Sequence, residues 1–413
     1  MESKHNPQMS RRDFLKLAGT VSAGMAIWSM PPWLHAAARM ASGSSSKSKT
    51  LVVLFQRGAA DGLNTVIPFA DPNYLRARPT IGMKYLTGEK GILDLDGHFG
   101  FHPSLAPLLP LWKEGHLAVI HAAGSPDNSR SHFDAQDYME TGTPGVKGTA
   151  DGWLNRTVAT FPKAGVDPLN AVAISARPPR ILRGEIPVTS MTSLKDYAFS
   201  EGPEAAKAFE DMYSQSSGLL GKAGIATAES IKKLQALLAS GSSTSVAGYG
   251  NGYLGHALSD LARVLKSGAE VKVAFIDIGG WDHHTGESYR LGSLLEDWGK
   301  GLSAFWKDLG DKARDVVVVS MTEFGRTVAE NGSQGTDHGH GGVMFVLGGP
   351  VKGGKVYGKW AGLEKENLYE GRDLPVTTDF RQVVCDVLGK HLGVKNQSAI
   401  FPGYKPGLAL GLI

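Results

Sequence analysis

The sequence contains very little cysteine, since Cys385 is the single one among 413 residues. One cysteine cannot form a disulfide within the chain, so a disulfide framework is excluded. Cys385 lies in the apolar stretch Val383–Leu388, where a buried structural thiol is the ordinary interpretation. The fold must therefore depend on a packed core, which the length and the 42% of hydrophobic residues are sufficient to form.

The chain also lacks an excess of charge of either sign. Its 43 basic and 40 acidic side chains give a formal net charge of +3. Removal of residues 1–38, which carry four basic and two acidic side chains, lowers this charge to about +1. A nearly neutral chain offers little attraction to the phosphates of nucleic acid or to membrane headgroups. We therefore expect no nucleic acid and no membrane surface among its partners.

The N-terminal segment has no apolar run long enough for a stable membrane span. Such a helix needs roughly 20 apolar residues, and Leu17–Met30 is shorter and is interrupted by glycine and hydroxyl side chains. The paired arginines of Ser10–Lys16 precede this run, and the small residues of His35–Ala41 follow it. This order is typical of export by the twin-arginine translocase. We predict a signal peptide over residues 1–38, a polar linker over 39–49 and a periplasmic or secreted protein, with an uncleaved anchor as the alternative.

The rest of the chain alternates short apolar runs with segments of helical periodicity. The runs that predict strands are Leu51–Phe55, Leu117–His121, Ala171–Ile174, Val271–Ile278, Val316–Met321 and Val343–Leu347. The segments that predict helices are Ser131–Glu140, Ala205–Ser214, Ala226–Leu238, Leu254–Lys266, Leu291–Leu309 and Phe380–His391. Near-continuous apolar runs are typical of strands that are covered on both faces. We predict an α/β domain over residues 50–413, with a mostly parallel sheet sandwiched between helices and a helical insertion around residues 187–245.

Three of the predicted strands run directly into polar residues. Asp61 follows the first strand, Asp282 and His284 follow Val271–Ile278, and Glu323 follows Val316–Met321. In open α/β sheets, binding sites form beyond the carboxyl ends of the strands. These four side chains would therefore converge if the strands are parallel neighbours.

A fourth polar cluster, Asp337, His338 and His340, precedes the strand Val343–Leu347 in a glycine-rich loop. Carboxylates and imidazoles form the mixed oxygen and nitrogen ligand set of mononuclear and dinuclear hydrolytic sites. Zinc is the divalent ion that we expect, with manganese or calcium as alternatives. Taken alone, each polar cluster is also explained as a surface turn or a helix cap.

Ser131 stands at the start of a predicted helix and allows two interpretations that do not exclude each other. The spacing of Ser131 and Asp134 is a variant of the capping box, so the serine is explained as a helix cap. A hydroxyl at a helix N-terminus, beside Arg130 and near a metal ion, would also be stabilised as an alkoxide and could attack phosphorus or sulfur.

Taken together, these segments resemble the bacterial domain-of-unknown-function family 1501, whose members carry twin-arginine leaders. The matching segments are Arg57–Asn64, Ser129–Gln136, Gly279–His284, Thr322–Thr327, Asp337–Gly341 and Thr377–Arg381. That family is grouped with the alkaline phosphatase and sulfatase superfamily. The resemblance implies an alkaline-phosphatase-like fold, a site for one or two metal ions beyond the strand ends, and a nucleophile helix at Ser131.

The resemblance also implies roles for single residues. Asp61 resembles the metal-binding aspartate after the first strand, and Asp282 and His284 resemble the later aspartate and histidine ligands. Glu323 stands where the superfamily has an aspartate–histidine pair, so a second metal ion would need an imidazole from Asp337–Gly341. The sulfatase signature of cysteine, proline, serine and arginine is absent, which argues against formylglycine chemistry.

The first functional hypothesis is an exported metal-dependent hydrolase of phosphate or sulfate esters, acting on a small molecule or a polysaccharide. In this hypothesis Ser131 attacks, and Arg130 or Arg326 neutralises the ester oxygens. The second is a non-catalytic exported binding protein that has a degenerate metal site, because a fold does not fix a function. The third is a mutase or transferase with a phosphorylated intermediate on Ser131.

Overall fold

The apolar runs form the central strands of the computed structural model, because their side chains gain free energy by leaving water on both faces of a sheet. The structure describes residues 48–413, except 85–90, 163–166, 176, 196, 198–201, 217 and 241–246. The predicted signal peptide and most of the predicted linker lie outside the described residues.

The described residues form twelve strands and ten α-helices. The strands are β1 (Thr50–Gln56), β2 (Val66–Ile67), β3 (Leu93–Asp94), β4 (Gly100–Phe101), β5 (Leu117–Gly124), β6 (Ala171–Ile174), β7 (Thr189–Met191), β8 (Val273–Ile278), β9 (Val316–Met321), β10 (Gly342–Gly348), β11 (Val356–Tyr357) and β12 (Thr378–Asp379). The helices are α1 (Gly62–Thr65), α2 (Pro72–Ala77), α3 (Leu109–Lys113), α4 (His132–Thr141), α5 (Trp153–Ala159), α6 (Gly202–Ser214), α7 (Gly218–Ser240), α8 (Tyr253–Lys266), α9 (Glu287–Leu309) and α10 (Phe380–Lys390). Each of the six predicted strands and six predicted helices is present, although several helices extend beyond their predicted ends.

Nine of the strands form the central sheet in the order β11-β5-β10-β9-β1-β8-β6-β7, with β12 also paired to β5. β10 is antiparallel to both of its neighbours, β9 and β5. The other pairings in this sheet are parallel. The predicted fold class, an α/β fold with a mostly parallel sheet, is therefore confirmed.

The side chains of β1 show how helices cover both faces of the sheet. Successive side chains of a strand point to opposite faces. Val52 and Leu54 pack in one apolar cluster with residues of α8 and α9. Leu51, Val53 and Phe55 pack in a second cluster with residues of α4, α5 and α10. The strand is buried along its whole length between two helical layers.

The direction of β10 determines which loops share an edge of the sheet. The carboxyl ends of β1, β8 and β9 lie at one edge because these strands are parallel neighbours. β10 runs in the opposite direction, so its first residues lie at that same edge. The loop between β9 and β10 therefore begins and ends at the same edge of the sheet as the loop that follows β8.

A second, smaller sheet was not predicted. It has three strands in the order β2-β4-β3, and each strand has only two residues. Strands this short show no alternation of apolar and polar residues that a sequence pattern could detect. Around residues 187–245, where a helical insertion was predicted, the described residues form β7, α6 and α7. In the described part of the chain, no helix combines the length and the apolar character that crossing a bilayer requires.

Candidate metal centre

Three segments deliver polar side chains to the carboxyl edge of the sheet. His132 is the first residue of α4, which follows β5. Asp282 and His284 lie in the loop between β8 and α9, and His338 lies in the loop between β9 and β10. Because β10 is antiparallel, the last of these loops returns to the edge where the other segments end. We call His132, Asp282, His284 and His338 the histidine cluster.

The three imidazole rings of the histidine cluster meet through their Nε2 atoms. The Nε2 of His338 lies 3.0 Å from the Nε2 of His132 and 3.0 Å from the Nε2 of His284. His132, Asp282 and His338 each offer a ligand atom within 4.8 Å of the others, so these three residues could hold a metal ion. The rings come from segments that are 54 to 206 residues apart in the sequence.

The opposite nitrogen of each ring faces an oxygen acceptor. The Nδ1 of His338 lies 2.8 Å from the carbonyl oxygen of Arg130. The Nδ1 of His132 lies 2.7 Å from Oε1 of Glu323, and that of His284 lies 3.1 Å from Oδ1 of Asp337. A carbonyl or ionised carboxylate only accepts, so each Nδ1 must carry the proton. In the neutral rings, the three Nε2 lone pairs therefore point at one another.

Asp282 adds a carboxylate to the three nitrogens. Its Oδ1 lies 3.1 Å from the Nε2 of His284, and its Oδ2 lies 3.4 Å from the Nε2 of His132. Arg326 forms an ion pair with Oδ1. Partial burial acts to raise the pKa of Asp282, but the hydrogen bond and the charge of Arg326 outweigh it and lower the pKa. The carboxylate is therefore ionised at neutral pH.

The donors of the histidine cluster fit a divalent transition metal such as zinc. Neutral imidazole and carboxylate are its ordinary ligands, with Zn–N bonds of about 2.0–2.1 Å. In a tetrahedral site, bonds of that length place neighbouring donors roughly 3.4 Å apart, so nitrogens 3.0 Å apart need to move by only a few tenths of an ångström. Lone pairs that face one another repel unless a cation or a proton lies between them. The Nδ1 contacts to oxygen are also the outer contacts that orient metal-binding histidines.

Two of the predicted metal ligands, Glu323 and Asp337, contact the Nδ1 atoms of these histidines rather than the Nε2 atoms. Glu323 is fully buried and contacts His132. Burial acts to raise the pKa of Glu323, but hydrogen bonds from His132 and Gln136 outweigh it and lower the pKa. Hydrogen bonds from Asn331 and His284 lower the pKa of Asp337 in the same way. Both carboxylates are thus ionised acceptors that orient imidazoles.

Two other predicted ligands make their contacts elsewhere. Asp61 is buried, accepts from the backbone N–H groups of Leu63 and Asn64, and forms an ion pair with the buried Arg78. It thus caps α1 and neutralises an arginine. The ring of His340 stacks on Tyr369, with 4.4 Å between their centroids. The structure therefore brings together Asp282, His284 and His338 from the predicted set, and it does not bring Asp61 or His340 to them.

The predicted catalytic residues border the cluster. Ser131 precedes α4 as its N-cap residue, but its side chain makes no capping hydrogen bond. Its exposed hydroxyl is therefore available to a ligand. Arg130 forms ion pairs with Glu370 and with the buried Asp373. Its backbone carbonyl, rather than its guanidinium, reaches the histidine cluster.

Arg326 is fully buried, and its N–H groups go to five acceptors. These are Asp282 Oδ1 and the backbone oxygens of Gly58, Ala59, Trp281 and Thr336. The guanidinium thus joins the loop after β1, the loop after β8 and the loop before β10. From this position Arg326 holds the three loops together and orients Asp282.

Backbone packs directly against backbone where these loops meet. A Cβ atom at Gly325 would overlap the carbonyl oxygen of Gly341. Gly58 has φ of +117°, and a Cβ there would lie 2.6 Å from the backbone nitrogen of Asp282. Only glycine allows both this conformation and this approach. The glycines of the matching segments therefore let three loops pack closely around the histidine cluster.

His132 is the residue of the site that sequence reasoning missed. It directly follows Ser131, and as the first residue of a predicted helix it is also explained without any role at a metal ion. The sequence does contain a signal for it, because His132 follows a strand after a short loop, as Asp282 and His284 do.

Comparisons with known proteins give a family but no assigned activity. The model of a family described as protein of unknown function (DUF1501) matches residues 48–401. No curated protein matches the sequence. Among solved structures, the chain is similar to an alkaline phosphatase from the Antarctic bacterium TAB5, with 11% identity and a TM-score of 0.32 over 74% of this chain and 93% of that one. At this identity and TM-score, the activity of that enzyme is not transferred to this chain.

Proposed function

This chain belongs to DUF1501, a family of proteins of unknown function, and we propose that it is an exported metal-dependent hydrolase of phosphate or sulfate esters. In this proposal one divalent ion, zinc, is bound by His132, Asp282, His284 and His338. The observation that carries the proposal is the convergence of three Nε2 atoms whose opposite ring nitrogens all face oxygen acceptors.

The donors of the histidine cluster favour a single divalent ion. Among the described residues, His132, Asp282 and His338 form the one group of three or more donors that could hold an ion. His284 adds a fourth donor, 3.0 Å from His338. Glu323 and Asp337 face the Nδ1 atoms of two of the rings, so a second ion would have to take a carboxylate away from an imidazole.

The residues of this chain supply binding, orientation and a nucleophile. The N-terminus of α4 presents N–H groups and a positive potential, which favour an anionic ester and the ionised form of the Ser131 hydroxyl. Glu323 and Asp337 keep the protons of His132 and His284 on Nδ1. A divalent ion bound there would polarise the ester and lower the pKa of a coordinated hydroxyl. Attack by the Ser131 oxygen on phosphorus or sulfur would form a serine ester, break the bond to the alcohol oxygen and transfer the serine proton to the departing alcohol. Water would then cleave the serine ester, release phosphate or sulfate and return a proton to the serine.

Export is a separate part of the proposal and rests on the sequence. The leader over residues 1–38 would direct the chain to the twin-arginine translocase, which carries folded proteins. A metal ion bound in the cytoplasm would then cross with the folded chain to the periplasm or beyond. A reporter fused after residue 49 should be exported, and replacement of Arg11 and Arg12 by lysine should retain it in the cytoplasm.

A non-catalytic binding protein with the same metal centre is the second candidate. The observation that favours it is the use of Arg326, because each of its three guanidinium nitrogens donates to a protein acceptor. The guanidinium of Arg130 is paired with two carboxylates as well. Neither arginine is placed to neutralise a dianionic ester without first leaving its partners.

Elemental analysis of protein purified without chelator tests the metal centre, and we expect about one divalent ion per chain. Hydrolysis of an aryl phosphate and an aryl sulfate, by the protein and its Ser131→Ala variant, then separates the two candidates. A protein that neither retains zinc nor binds added zinc would refute both. A zinc-loaded protein that hydrolyses neither ester would support the binding protein.

A further inference from the structure

The carboxylate of Glu323 receives an unusual number of hydrogen bonds on one oxygen. Its Oε1 accepts from the backbone N–H of Gly58 at 2.8 Å, from Nδ1 of His132 at 2.7 Å and from Nε2 of Gln136 at 2.9 Å. We propose that Gln136 is a positioning residue of the metal centre, acting through Glu323 on the orientation of His132. This inference rests on the metal site of the proposed function.

The two residues lie on the same face of α4, because Gln136 comes one helical turn after His132. The imidazole and the amide therefore approach the same carboxylate from one side. The backbone N–H of Gly58 approaches it as a fixed donor from the loop after β1. Together they limit the rotation of the carboxylate, and hence the direction in which the ring of His132 presents Nε2.

Arg57 determines which way the amide of Gln136 faces. Its Nη1 lies 3.0 Å from the Gln136 oxygen. A guanidinium can only donate, so the amide oxygen faces Arg57 and the amide N–H faces Glu323. Arg57 is itself fixed by Glu140 at 3.0 Å and by Asp277 at 2.9 Å. A chain of hydrogen bonds thus runs from these two carboxylates to His132.

Glutamine is the side chain that satisfies both of its neighbours. A methionine at position 136 would keep the length and helical preference but would neither accept nor donate usefully. A glutamate there would accept from Arg57, yet it would place a second carboxylate against Glu323. Outer partners of metal-binding histidines typically contribute 10–100-fold to metal affinity. Gln136 contacts Glu323 rather than the histidine itself. For Gln136→Met we therefore expect zinc affinity to fall by roughly tenfold, the lower end of that range.

The first test compares zinc affinity in Gln136→Met and in a matched control, Gln382→Met. Gln382 is also a helical glutamine, but its amide bonds to the backbone of Leu408 and Gly407 near the C-terminus. Competition with a chromophoric chelator measures the affinity, and urea unfolding of the metal-free proteins checks their stability. We expect Gln136→Met to bind zinc roughly tenfold more weakly and Gln382→Met to bind it as the natural protein does.

The second test measures Gln136→Met in a Glu323→Ala background. Gln136 and His132 both donate to Oε1 of Glu323. Without that carboxylate, Gln136 has no connection to His132. Gln136→Met should therefore weaken zinc binding much less in this background than it does in the natural protein.

The outcomes distinguish this inference from the function on which it rests. A natural protein that binds no zinc refutes the metal centre itself. Zinc binding that is unaffected by Gln136→Met overturns the positioning role. An equal loss in the two backgrounds also overturns it, because a residue that acts only on the stability of the helix does not depend on Glu323.

Discussion

The pair of buried carboxylates formed by Glu287 and Asp61 gives a prediction about stability and pH. Glu287 accepts from Asn64 at 2.9 Å and from Thr336 at 2.8 Å, in a fully buried position. Burial and the negative charge of Asp61 raise the pKa of Glu287 to about 9. Burial also acts to raise the pKa of Asp61, but the charge of Arg78 outweighs it and lowers the pKa. The folded protein therefore keeps one proton on this pair at neutral pH.

The pH dependence follows from the proton that folding takes up. In the unfolded chain, Glu287 ionises near its ordinary pKa of about 4.3. The stability that this proton contributes is present in full below that pKa, and it is lost as the pH rises through the folded pKa of about 9. One proton that only the folded state binds changes the free energy of unfolding by about 1.4 kcal/mol per pH unit. A rise from pH 6 to pH 8 should thus lower the free energy of unfolding by up to about 2.7 kcal/mol through this pair.

Glu287→Gln removes this dependence, because an amide can accept and donate in place of the protonated acid but cannot titrate. Urea unfolding of both proteins at pH 6, 7 and 8 measures the difference. We expect the variant to gain about 2.7 kcal/mol relative to the natural protein over this range. The exposed Glu366→Gln is the control, and its difference from the natural protein should not change with pH. A constant difference for Glu287→Gln would show that Glu287 is ionised in the fold.

Three further predictions concern the metal centre and its loops. His338→Ala should reduce bound zinc from about one ion per chain to a small fraction, while His340→Ala should retain it, as measured by elemental analysis. Gly325→Ala should lower the free energy of unfolding by about 3 kcal/mol, because its Cβ would overlap a backbone carbonyl oxygen. Gly332→Ala in the same loop, with open space around the added Cβ, should cost much less in the same urea experiment. Zinc affinity should fall by up to tenfold per pH unit below pH 7. The hydrogen bond to the carboxylate of Glu323 raises the pKa of His132 and favours its protonation, which competes with zinc binding. A zinc affinity that is constant from pH 7 to pH 5.5 would contradict this prediction.

The central sheet could be predicted because its signal is local. A strand buried on both faces must be apolar along its whole length, as Val316–Met321 is, and such a run is visible without any knowledge of its neighbours. The shared edge of Asp282, His284 and Glu323 could be predicted for a related reason, since the carboxyl ends of parallel strands in one sheet lie at the same edge. The antiparallel direction of β10 was not predicted, yet it is what brings His338 to that edge.

The contacts of the individual carboxylates could not be predicted in the same way. Asp61 has the expected position after the first strand, but Arg78 binds it through an ion pair that no sequence spacing indicates. Glu323 likewise lies at the expected edge and contacts an imidazole rather than the centre of the cluster. Which cation or ring a buried carboxylate meets depends on side chains that come from distant segments.

The separation in sequence of the clustered histidines would give an ion bound by them a mechanical consequence. His132 and His338 are 206 residues apart, and His284 and His338 are 54 apart. An ion that joins them acts as a reversible cross-link that closes two long loops of chain. Because the unfolded chain cannot offer the three rings together, each increase in free zinc should raise the temperature at which the protein melts. Removal of the ion would therefore open the molecule first at this edge, where a protease should cut sooner than in the metal-loaded form.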